Sequence, residues 1–100
     1  MEAGQVLELV LETIGSEADE LGYEHLRAPD ADTPLYGGES GIDSLSLVRL
    51  IVAVESAAAR RFGRRVSLAD ERALSMRHSP FRTAGTLAQL LGERLGAADG

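Results

Sequence analysis

Apolar residues recur at helical spacing from the start of the chain. Val6, Leu7, Val10, Leu11, Ile14, Ala18 and Leu21 follow the i, i+3, i+4, i+7 rule of a single buried stripe, with Glu8, Glu12, Glu17, Asp19 and Glu20 on the other side. The spacing predicts a helix from about Glu2 to Leu21, slightly weakened by Gly15 and stopped by Gly22. Positions 23–42 carry no such period. Pro29, Pro34, Gly37, Gly38 and Gly41 are spread through them with Asp30, Asp32, Thr33 and Ser40, which is loop chemistry. A connection this long is uncommon in a small domain and is often functional. Leu26, Leu35, Tyr36 and Ile42 are the residues expected to plug it into the core.

The helical period returns over 44–62. Asp43 or Ser44 is placed to cap the start, Gly63 to close the end in a left-handed conformation, and Arg60 and Arg61 to meet the negative pole of the macrodipole. Leu47, Leu50, Ile51, Val54, Ala58 and Phe62 make a core stripe. Leu45, Val48 and Val52 make a second apolar row, rotated away from the first, which a helix packed on one side does not need. Two readings fit it: a docking surface, or burial beneath the 23–42 loop or a neighbouring short helix. Further on, Leu68 to Leu74 has the makings of a brief helix capped by Ser67, and Ser79-Pro80-Phe81 interrupts. Thr83 then caps a last helix with the stripe Leu87, Leu90, Leu91 and Leu95, and 97–100 reads as a frayed tail. No stretch alternates as a strand does. The expectation is an all-α fold: one domain over residues 1–96, three longer helices and one short one.

Composition narrows the function. One hundred residues with 44% apolar content suit one small core. No apolar run approaches the ~20 residues of a membrane span, and no secretory signal opens the chain, which points to a cytoplasmic protein without membrane attachment. There is no cysteine, hence no thiol chemistry from the chain itself. All ten basic residues are arginine, which excludes a lysine-bearing phosphate loop. Residues 1–43 hold eleven acids against one arginine, and residues 44–100 nine arginines against five acids, a division better read as two faces than two domains. With a net charge of −6 and 4% aromatics lacking Trp, nucleic acid is not an expected partner.

Enzymatic constellations do not assemble. His25 and His78 lack metal-ligand spacing, and Asp30 and Asp32 imitate only the first acids of a calcium loop. Gly38-Glu39-Ser40-Gly41 misses the spacing of a nucleophile elbow. The run Arg60-Arg61-Phe62-Gly63-Arg64-Arg65 is either a dipole-matched helix end or a docking spot for a phosphate or an acidic partner. The strongest group is Gly41-Ile42-Asp43-Ser44-Leu45-Ser46-Leu47-Val48: a glycine, an apolar plug, then an acid and a hydroxyl at the positive end of a helix. A phosphate ester on Ser44 suits that pole, and Asp43 suits a divalent metal during phosphoryl transfer. Plain capping is the other reading of the same pair.

From about residue 3 to 96 the chain resembles an acyl carrier protein: a long first helix, a long loop, Asp-Ser-Leu opening the second helix, a short third helix and a fourth. The family's glycine, apolar residue, Asp, Ser, Leu appears as Gly41-Ile42-Asp43-Ser44-Leu45. The resemblance implies a four-helix bundle of acyl-carrier type that is not itself an enzyme, and a monomer is the default expectation. Ser44 would carry 4′-phosphopantetheine, installed from coenzyme A by a separate phosphopantetheinyl transferase using magnesium, with Asp43 as the assisting acid. The arm's thiol would hold an acyl or aminoacyl group as a thioester, which suits a chain without cysteine. A loading ligase and downstream transferases of a biosynthetic pathway would dock on Leu45, Val48, Arg49 and Val52. Two departures stand out: Arg49 occupies a place where the family usually has Glu, and residues 44–62 hold three arginines against one acid. Charge complementarity governs partner choice, and the departures imply partners outside the housekeeping fatty-acid set. The competing expectation is a helical interaction adaptor in which Ser44 is only a helix cap.

Overall fold

A computed structural model of the chain describes residues 3–37, 41–69 and 79–99. Among the described residues three α-helices run in chain order, α1 over Ala3–Leu21, α2 over Ser44–Phe62 and α3 over Ala84–Asp99, with one 3₁₀ turn at Glu24–Leu26. The described residues contain no named strand, and the fold class is all-α; only an isolated antiparallel bridge joins Pro34 to Thr83. The expected short helix over 68–74 falls mostly within 70–78, outside the described residues. Leu68 itself is buried, and its N–H donates to Glu55 Oε2 at 2.8 Å.

Helix α1 is the central element, packing on both α2 and α3. That explains why its buried face is broader than one stripe: Leu9 joins Val6, Val10, Ile14 and Ala18 in the core. The Thr13 hydroxyl, buried beside them, donates to Leu9 O at 2.8 Å. Both expected glycine stops form. Gly22 (φ 81°) sends its N–H to Ala18 O, and Gly63 (φ 68°) to Ala59 O, each in the left-handed region that glycine enters without steric cost. Thr83 and Thr86 cap α3 reciprocally, the Thr86 N–H donating to Thr83 Oγ1 at 3.2 Å and the Thr83 N–H to Thr86 Oγ1 at 3.0 Å. Helix α3 continues to Asp99, past the tail expected at 97, as the strong helix former Ala at 97 and 98 allows.

The long connection is ordered by hydrogen bonds to the start of α3. Leu35 N–H donates to Arg82 O, Tyr36 N–H to Phe81 O, Ala84 N–H to Thr33 O and Gly85 N–H to Ala31 O. On its other side Leu35 O accepts the Ile42 N–H at 2.6 Å, which brings the chain back to the foot of α2. Leu26, Leu35 and Ile42 are buried as expected, but Tyr36 is not a plug: it is 40% exposed. Its neighbour Leu35 points inward along an extended segment, and successive side chains there face opposite ways.

Candidate functional site

The end of α1 and the start of α2 lie together, because the two helices run antiparallel: Arg49, one turn into α2, reaches Glu17 and Glu20 near the end of α1, while Arg61 at the far end of α2 reaches Glu12. Ser44 is the first residue of α2 and is exposed, and no described residue hydrogen-bonds its hydroxyl. The cap is its neighbour. Asp43 sits in extended backbone (φ −73°, ψ 167°) and its Oδ1 accepts the Ser46 N–H at 2.7 Å. The expectation that Ser44 is itself a helix cap is therefore corrected: a residue already inside the helix has the wrong backbone to cap it, and the Asp43 carboxylate takes the free N–H.

A residue that the sequence did not single out completes the site. The Tyr23 hydroxyl accepts the Asp43 N–H at 3.1 Å and donates to Asp43 Oδ2 at 3.2 Å. Gly22 ends α1 and leaves Tyr23 extended at φ −108°, ψ 110°, with its ring partly buried against the core. The His25 ring meets that ring edge-on, centroids 5.9 Å apart, and His25 Nε2 lies 3.0 Å from Pro34 O. The Ser46 N–H first, then the Ser46 and Tyr23 side chains and the Leu45 N–H, hold the Asp43 carboxyl below the usual carboxylate range; partial desolvation opposes them.

Gly41 is fixed by close approach. A Cβ there would stand 2.7 Å from Gly37 O and 2.8 Å from Gly37 N. Beyond Ser44 the second apolar row of α2 faces outward: Leu45 is 82% exposed, Val48 55% and Val52 53%, while Leu47, Leu50, Ile51, Val54 and Ala58 are buried. Burial beneath the described part of the 23–42 loop is thereby removed as an account of that row. Arg49 stands beside it, tied back to α1 by its ion pairs with Glu17 and Glu20.

The other sequence candidates stay apart. Asp30 Oδ1 accepts the Asp32 N–H in a local turn, and no group of three or more His, Asp or Glu able to hold a metal occurs among the described residues. His78 lies outside them. An open cleft of about 430 Å³ between α1 and α2 is lined by Leu9, Glu12, Thr13, Ala57 and Arg60, toward the end of α2 opposite Ser44. No described helix is long and apolar enough to cross a membrane. No family model, curated protein or solved structure matches the chain.

Proposed function

We propose that the chain is a carrier protein of acyl-carrier type, holding an acyl or aminoacyl group as a thioester on 4′-phosphopantetheine attached to Ser44. The observation that carries the reading is Ser44 itself: an exposed hydroxyl with no described hydrogen-bond partner, relieved of capping duty by Asp43, at the positive pole of α2. A modifying enzyme needs that access, and the phosphodiester formed there would sit where the macrodipole favours negative charge. When attached, the arm supplies the thiol that the chain lacks.

The chain's own residues suit the modification. In the transfer, the Ser44 oxygen bonds to the phosphorus of the pantetheine half of coenzyme A and the pyrophosphate P–O bond breaks. The nucleotide half leaves, and the hydroxyl proton passes to a base on the transferase. Asp43 is exposed and its carboxyl is held in the ionised form by Ser46 and Tyr23, which suits it to hold a magnesium ion beside Ser44 during the transfer. The exposed row Leu45, Val48 and Val52, with Arg49 alongside, is the surface a transferase or ligase would cover. Its shortage of free acid on α2 favours dedicated partners of a biosynthetic pathway over those that recognise an acidic second helix.

Intact mass after incubation with coenzyme A, magnesium and a broad-specificity phosphopantetheinyl transferase tests the proposal. One added arm on the wild type, and none on Ser44→Ala, is expected. An unchanged mass for folded wild-type chain defeats it and leaves the adaptor, whose support is the same apolar row.

A further inference from the structure

Tyr23 and Asp43 are joined at two points, not one. The phenol oxygen accepts the Asp43 backbone N–H at 3.1 Å, and its proton goes to Asp43 Oδ2 at 3.2 Å. Oδ1 is meanwhile held by the Ser46 N–H. The Asp43 backbone N–H and Oδ2 are thus both fixed by Tyr23, and Oδ1 by Ser46, although the residue is exposed to solvent. A capping aspartate needs only the Ser46 contact; the Tyr23 contact adds nothing to the cap and instead sets the torsion of the carboxylate. The ring that delivers the hydroxyl is held by the core and by the edge of His25, at the end of a different helix.

We infer that Tyr23 is a positioning residue of the modification site, fixing through its hydroxyl the orientation of the Asp43 carboxylate while Ser44 is modified. The inference rests on the carrier reading of Ser44. Tyr23 touches neither coenzyme A nor Ser44 in this account; it acts through Asp43. Its hydroxyl orients the carboxylate before the transferase arrives, and holding a reacting group in place in advance is worth orders of magnitude in rate.

The test is Tyr23→Phe, which keeps the ring and its packing and removes only the hydroxyl. With wild-type chain modified normally, Tyr23→Phe is expected to reach the same final mass but with kcat/KM of the transferase lowered about tenfold or more, and to need more magnesium for half-maximal rate. In an Asp43→Asn background the same substitution should have no further effect, because the carboxylate it orients is gone. Leu95→Val, a buried change on α3, serves as the stability control and should leave the magnesium dependence unmoved. Equal rates for wild type and Tyr23→Phe, or a loss that persists undiminished with Asn at 43, overturn the inference while leaving the carrier reading intact. Failure of the wild type to be modified at all overturns the reading beneath it.

Discussion

Asp43 and Ser44 are neighbours with separate duties, and their substitutions separate accordingly. Asp43 caps α2, so its loss acts on folding; Ser44 carries no described side-chain hydrogen bond, so Ser44→Ala should alter stability by no more than about 0.5 kcal/mol, measured by chemical denaturation. The Asp43 contribution also has a sign with pH. Its carboxyl is held below the ordinary value of 3.8, with the Ser46 N–H as the largest cause, so the ionised form is the one that folding favours. The advantage of wild type over Asp43→Asn is therefore full above that value and dwindles only as pH falls below it. An advantage already gone at pH 5 contradicts this. Tyr23 shows where sequence reading stops. Its partner lies 20 residues away, across the join between α1 and α2, and no local pattern marks a tyrosine that will meet an aspartate in three dimensions.

At the scale of elements, periodicity located α1, α2 and the last helix, and glycine chemistry located two of their ends, because those are local properties of the chain. The width of the α1 core face was not legible: Leu9 is buried because two helices, α2 and α3, cover α1 from different sides. Nor was the reason for Gly41, which is a close backbone approach to Gly37. Gly41→Ala should cost about 1–3 kcal/mol through that overlap. Gly15 is the contrast. A Cβ there finds Arg27 O at 3.7 Å and Pro29 Cδ at 3.8 Å, ordinary contact distances within a helix. Gly15→Ala should accordingly stabilise the chain by up to about 1 kcal/mol. Thermal unfolding of the two variants side by side checks both, and a destabilised Gly15→Ala would mean that the 27–29 segment packs more tightly than these distances allow.

For the molecule as a whole, the division between an acidic first part and an arginine-rich second part is stitched across α1 and α2. Arg49 takes Glu17 and Glu20, and Arg61 takes Glu12 at 3.3 Å. Exposed pairs of this kind contribute about 0.2–1 kcal/mol each, too little to hold the fold but enough to penalise the wrong charge. Arg49→Glu, which installs the residue usual in acyl carrier proteins, should lower stability by about 1 kcal/mol by facing two acids of α1, and added salt should recover most of the loss. Arg49 is thus fitted to its own first helix, its charge partly spent on Glu17 and Glu20. Beside it Leu45, Val48 and Val52 form an exposed apolar row next to the Ser44 hydroxyl.

The central claim, that Ser44 is the tethering point, is tested most directly by locating the arm. Cleavage after arginine releases residues 28–49 as one peptide holding three serines, Ser40, Ser44 and Ser46. Fragmentation of that peptide from transferase-treated chain should place the added mass on Ser44 alone. Added mass on Ser40 or Ser46, or an unmodified peptide from folded protein, would contradict the account.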